Sequence, residues 1–185
     1  MKTNVSVKID RIIDFLETDI ISVTFSFHGL KYLSLRRNKG TQLIDLKLVS
    51  EDNERDSMTH SLIKETLNFL ETGIHNMPLD LSDFTTFQQN VFDAVRSIKL
   101  GSICTYKQLA EILGKPGAAQ AVGSAVSKNP VSYFLPTYRV LPQKGIGICK
   151  SGAGFLREKL LVLEGHDIAQ LRGNYVCSRK KCCQE

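Results

Sequence analysis

Apolar and polar side chains alternate along Val23-Thr24-Phe25-Ser26-Phe27. His28-Gly29 then supplies a turn, and Leu30 to Leu35 resumes an extended-compatible pattern before Arg36-Arg37-Asn38-Lys39-Gly40. A period of two on either side of a glycine turn predicts a β-hairpin. Leu43, Leu46, Leu48 and Val49 predict a further strand, and the polar, charged stretch Ser50 to Ser57 predicts a loop. Leu62, Ile63, Leu67 and Leu70 then recur at helical spacing until Gly73 stops the run. The first part of the chain therefore reads as a small α+β unit.

Met77-Pro78-Leu79-Asp80-Leu81-Ser82 reads as a connector, because Pro78 disfavours helix in the residue before it. Beyond it, Phe84, Phe87, Val91, Val95 and Ile98 place apolar groups on one face of a helix that ends near Gly101. Tyr106 to Leu113 predicts a second helix with Thr105 as its cap, Gly114-Lys115-Pro116-Gly117 a turn, and Ala118 to Ser127 a third helix. Two short helices around a tight glycine-containing turn have the outline of a helix-turn-helix. The third helix is built from Ala118, Ala119, Ala121, Gly123, Ser124 and Ala125. Such small side chains allow close approach either to a neighbouring helix or to a DNA groove too narrow for a bulky one.

Charge adds a difference between the two parts. Residues 1–83 carry 10 Lys and Arg against 13 Asp and Glu, whereas residues 84–185 carry 14 against 6. The second part has the electrostatics of a polyanion binder, and also of an ordinary basic surface. At 185 residues, 42% of them hydrophobic, the chain can bury a core in one domain or two small ones. No apolar run is long enough to span a bilayer, and the opening residues lack a secretory stretch, so no membrane association is expected and the expected address is the cytoplasm, nucleoid or nucleus. The five cysteines, Cys104, Cys149, Cys177, Cys182 and Cys183, are odd in number and irregular in spacing, which argues for reduced thiols rather than a disulfide framework. The last three lie in a basic tail with no nearby histidine to complete a metal site; no metal and no cofactor is expected.

Phe87-Gln88-Gln89, Thr105-Tyr106-Lys107-Gln108-Leu109-Ala110, Ala118 to Gly123, Asn129-Pro130-Val131, Pro136 to Val140 and Glu164-Gly165-His166 together resemble the O6-alkylguanine-DNA alkyltransferase (methylated-DNA–protein-cysteine methyltransferase) family. The resemblance runs from about residue 78 to 167; residues 1–76 share only length and element order with the family's first domain. It implies an α+β fold: a small ribonuclease H-like α+β domain over 1–76, a linker over 77–83 and a mostly helical domain with a winged helix-turn-helix over 84–170. A disordered basic tail is expected over 171–185, where Gly173, Asn174 and the basic run offer little to bury. The resemblance also implies binding of double-stranded DNA, alkylated DNA included, through the minor groove, with flipping of the damaged guanine and single-turnover transfer of its alkyl group to a cysteine in a Pro-Cys-His-Arg-Val motif. That chemistry needs a thiolate generated by the adjacent histidine, which a glutamate orients.

Here the motif reads Pro136-Thr137-Tyr138-Arg139-Val140. A threonine hydroxyl has no accessible anion near neutral pH without a strong base beside it, and a tyrosine cannot replace an imidazole as that base. Glu164 stands in the position of the orienting acid with no imidazole to orient. By the same resemblance, Gln120 replaces the arginine that fills the vacated base stack, and Lys150, beside Ser151 in a pocket loop over Gly145 to Gly154, replaces a tyrosine. The expected DNA contacts are Tyr106, Ala118, Ala119, Gln120, Gly123, Ser124, Lys128, Asn129 and Arg139. Asn129 before Pro130 is also an ordinary turn former, and Arg139 could equally support the fold. The chain further resembles alkyltransferase-like proteins, which lack the cysteine and hand alkylated DNA to excision-repair proteins.

Three readings remain open on the sequence. The first is a monomeric, non-catalytic DNA-binding protein linked to alkylation damage. The second is an active DNA alkyltransferase with a relocated nucleophile, Cys149, whose neighbour Lys150 could lower its pKa. The third is a protein-interaction scaffold that has lost DNA binding, favoured by Gln120 and Lys150.

Overall fold

The computed structural model describes residues 18–37, 52–146 and 152–173. The expected strand over Leu43 to Val49 lies outside them. The chain divides into two compact units, Met1–Leu81 and Ser82–Glu185; among the described residues the first has one helix and a two-stranded sheet, the second several helices and a two-stranded sheet.

In the first unit, β1 (Thr18–Ser26) and β2 (Gly29–Arg37) form the antiparallel hairpin that the alternation predicts. Val23 pairs with Leu33 across it, and both side chains are buried. Phe27, read as the last apolar position of a strand, instead sits in the turn and is fully exposed. The stretch read as a connector contributes to this sheet: the Leu30 N–H donates to the Pro78 carbonyl at 2.8 Å, and the Asp80 N–H donates to the Leu30 carbonyl at 2.9 Å. Helix α1 spans Asp52–Thr72, so most of the loop predicted over Ser50 to Ser57 is helical. Polarity misled there, because an acidic stretch is as compatible with a helix start as with a solvated loop. The helix stops at Gly73, whose N–H bonds the Phe69 carbonyl at 2.7 Å.

In the second unit, α2 (Thr86–Arg96) opens with a reciprocal capping box between Thr85 and Gln88 and buries Val91, Phe92 and Val95. The two-residue strand β3 (Cys104–Thr105) pairs in parallel with β4 (Val140–Leu141). Helix α3 (Tyr106–Ile112) is capped by Thr105 as predicted: the Gln108 N–H donates to Thr105 Oγ1 at 3.1 Å and the Thr105 N–H to Gln108 Oε1 at 2.8 Å. Its far end closes on Gly114 in the left-handed region, with Gly114 N–H to Glu111 O at 2.9 Å and Lys115 N–H to Ala110 O at 2.9 Å. These are the two bonds of a Schellman cap, and glycine adopts that φ without a Cβ penalty. Helix α4 (Ala119–Val126) follows the turn and buries Val122, Ala125 and Val126. These three share one core with Val91, Val95, Ile98, Cys104, Leu109, Ala110 and Val140.

Helix α5 (Gly152–Leu163) closes in the same way, on Gly165, with Gly165 N–H to Val162 O at 3.0 Å and His166 N–H to Leu161 O at 2.9 Å. This cap sets the residue that precedes it, Glu164, at a fixed point. The expected pocket loop over Gly145 to Gly154 therefore ends by Gly152, where α5 begins. Helix α6 (Ile168–Gly173) starts with the Ala169 N–H on Asp167 Oδ1 at 2.8 Å, and its Leu171 carbonyl accepts from the Ile146 N–H at 2.9 Å. Residues 171–173, assigned by the sequence to a disordered tail, are thus the end of a helix in which Leu171 is buried; 174–185 lie outside the described residues. Among the described residues no helix is long and apolar enough to cross a membrane.

Candidate functional site

Two short 3-10 turns, Ser132–Phe134 and Thr137–Arg139, carry the chain from α4 back to the sheet. Asn129 holds them. Its Oδ1 accepts from the Val131 N–H at 2.9 Å, and its two amide protons are shared among the carbonyls of Ser132 at 2.7 Å and Leu135 at 2.9 Å and Thr137 Oγ1 at 2.9 Å. Four contacts from one side chain fix the loop well enough for Ser132 to keep φ +44, a region costly for a non-glycine residue. Thr137 is the part-exposed member of its turn; Tyr138 and Arg139 are buried.

Glu164 receives what the turn directs inward. The Tyr138 hydroxyl donates to Glu164 Oε1 at 2.5 Å. Arg139 donates from Nε to both carboxylate oxygens at 3.0 and 3.1 Å and from Nη2 to Oε1 at 2.8 Å. The Gly101 N–H reaches Oε2 at 3.2 Å, and Arg139 Nη1 donates to the Ile98 carbonyl at 2.6 Å. Arg139 is 0% exposed, and it forms a buried ion pair with Glu164. Burial is the main cause that pushes the Tyr138 phenol far above its ordinary value; Arg139 opposes it and Glu164 adds to it. Tyr138 is therefore a neutral donor at any working pH. Burial also lowers His166 below its ordinary value, against the pull of Glu164 and with the push of Arg139.

One sequence expectation changes here. Arg139 cannot contact DNA, because its guanidinium is buried against Glu164 and Ile98. Glu164, read as having no imidazole to orient, accepts the Tyr138 hydroxyl. The sequence carried a signal for this, since a tyrosine and an arginine in succession can both donate to one acid, but the length of chain between 139 and 164 hid the contact.

The other expected DNA contacts lie on and around α4. Gln120, Ser124 and Lys128 recur every fourth residue and are exposed. Ala118, Ala119 and Gly123 are part-buried. The Tyr106 ring lies beside Gly123, where an added Cβ would stand in ordinary contact, 3.8 Å from two of its carbons. Asn129 spends its side chain on the turn. Cys149, Lys150 and Ser151 lie outside the described residues. Cys104 is buried in β3, with its thiol on the Thr105 carbonyl at 3.5 Å. Among the described residues no group of three or more His, Cys, Asp or Glu could hold a metal ion.

Residues 86–166 match the family model described as "6-O-methylguanine DNA methyltransferase, DNA binding domain". A methylated-DNA–protein-cysteine methyltransferase of Shigella flexneri is 36% identical over 130 residues, 68% of this chain and 75% of that protein. One from Saccharolobus solfataricus is 36% identical over 145 residues, 76% of this chain and 93% of that protein. Among solved structures, Mycobacterium tuberculosis OGT in complex with DNA aligns with a TM-score of 0.58 at 24% identity, covering 80% of this chain and 92% of that one, which is a likeness of fold.

Proposed function

The chain belongs to the methylated-DNA–protein-cysteine methyltransferase family and carries its DNA-binding domain, and from that premise we propose that it binds alkylated DNA without accepting the alkyl group. The observation that supports this is the chemistry of the turn: Thr137 stands at the nucleophile's position, and Tyr138, at the base's position, holds its proton against Glu164. Without a thiol to ionise and an imidazole to ionise it, the turn has no activated nucleophile. A threonine alkoxide would need a base far stronger than any group bonded to it here.

The binding side rests on α3, the Gly114–Gly117 turn and α4, read as a winged helix-turn-helix. Tyr106, Ala118, Ala119, Gln120, Gly123, Ser124 and Lys128 face the minor groove of duplex DNA. Small residues along α4 admit the close approach, and the basic second unit supplies the attraction to phosphates. The first unit is a ribonuclease H-like domain. A protein that holds a lesion and cannot repair it passes it on, so excision-repair proteins are its partners, in the cytoplasm, nucleoid or nucleus.

Titration of fluorescent duplexes, with and without one O6-methylguanine, across a salt series tests this. Binding should weaken linearly on log–log axes as salt rises, with tighter binding to the lesion. Absence of binding to either duplex at low ionic strength would remove the DNA-binding reading.

A further inference from the structure

We infer that the Thr137 hydroxyl is a hydrogen-bond donor to the bound adduct, and that it selects O6-alkylguanines whose alkyl group carries an acceptor oxygen over purely hydrocarbon ones. This deepens the reading above and rests on it, since it takes the 137 position to face the alkyl group.

A threonine hydroxyl has one proton to give and can accept two bonds. Thr137 Oγ1 accepts from the Asn129 amide at 2.9 Å. Because that amide nitrogen is a donor, the threonine proton must point away from it. Among the described residues no acceptor takes that proton, whereas the neighbouring Tyr138 proton is committed to Glu164. Thr137 is also the part-exposed residue of the three in its turn. The turn thus presents one fixed hydroxyl with a free proton at the surface, held in place by an asparagine that is itself anchored on two backbone carbonyls.

The consequence follows from the asymmetry of hydrogen bonding. A donor that loses its water on binding and meets only methyl or methylene groups is left unpaired, which costs more than a made bond returns. Opposite a terminal hydroxyl or carboxylate of the adduct the same proton is satisfied. A family nucleophile at this position would meet every adduct at its reacting carbon, whereas the threonine reads what the adduct carries beyond it.

The test compares duplexes bearing O6-(2-hydroxyethyl)guanine and O6-propylguanine, which have equal numbers of heavy atoms and differ in one terminal group, with an undamaged duplex as reference. Kd is measured for the wild-type protein, Thr137→Val and Thr137→Ser. Valine keeps the shape and removes the hydroxyl, and Asn129 retains its carbonyl partners, so the turn should persist; serine restores the donor. The ratio of propyl to hydroxyethyl Kd should be about three- to ten-fold larger for wild type and Thr137→Ser than for Thr137→Val. Comparing ratios cancels the difference in hydration between the two adducts. Equal ratios in wild type and Thr137→Val, with both adducts bound better than undamaged duplex, would overturn the role of Thr137 and leave the lesion-binding reading standing. Binding of all three duplexes alike by the wild-type protein would overturn lesion recognition itself.

Discussion

Glu164→Gln should destabilise the second unit severely. Arg139 is wholly buried, and it reaches the Glu164 carboxylate through three N–H···O contacts of 2.8 to 3.1 Å. Glutamine keeps the shape but removes the charge, and its amide nitrogen turns a donor towards Arg139 Nε, the Tyr138 hydroxyl or the Gly101 N–H, all of which are donors. A buried guanidinium left without its counter-charge costs about 3–5 kcal/mol. In a unit of about 100 residues each kcal/mol shifts Tm by about 4–8 °C, so the midpoint should fall by at least about 12 °C. Urea unfolding followed by circular dichroism measures the same loss as a lower midpoint with an unchanged slope. The deficit should be similar at low and high salt, because a buried pair is poorly screened. Replacing both partners, Glu164→Gln with Arg139→Met, should recover part of the loss, since no unpaired charge then remains. A loss below about 1 kcal/mol, the range of an exposed ion pair, would refute the buried-pair argument.

His166 has a folded-state pKa below its unfolded value, so the unfolded chain binds the proton more readily; its contribution to stability should be complete above about pH 6.5 and decline as pH falls below it. His166→Gln should remove that part of the pH dependence of the urea midpoint, and a wild-type protein that gains stability through His166 on acidification would contradict the burial argument. Thr137→Cys alone should give little or no alkyl transfer from O6-methylguanine DNA in a single-turnover assay, whereas Thr137→Cys with Tyr138→His should give more, because residue 138 already reaches Glu164. Equal rates would show that the histidine is not the limiting loss. Gln120→Arg, on the exposed face of α4, should tighten binding to an O6-methylguanine duplex more than to an undamaged one. A titration in which both improve equally would mean added charge alone.

Local rules made much of the fold legible. The Thr105 cap, the Gly73 stop and the glycine turn at 114 each depend on a few neighbouring residues and stand where the pattern put them, whereas the helix expected to run to Gly101 ends at Arg96, so that Ile98 joins the core with Val91 and Val95 from beyond it. Reading failed where a local signal had two meanings. The acidic run at 52–56 favours either a solvated loop or a helix start, and Leu171 was taken with the basic residues after it rather than with the helix it ends. At the site, the family resemblance led to the expectation that Thr137 and Tyr138 take the places of the motif's cysteine and histidine. The fate of the remaining groups depends on contacts 25 or 26 residues apart in sequence. Arg139, a phosphate ligand by type, is consumed by Glu164, and Glu164 also accepts the Tyr138 phenol.

The central claim is that this family member holds alkylated DNA and keeps none of the alkyl group. Intact-mass measurement of the wild-type protein after prolonged incubation with excess O6-methylguanine duplex tests it most directly. An unchanged protein mass, with the duplex recovered still methylated, is the result the Thr137–Tyr138 turn predicts. A stoichiometric gain of one methyl group on the protein would contradict it, and mapping the modified residue would then show where the nucleophile is.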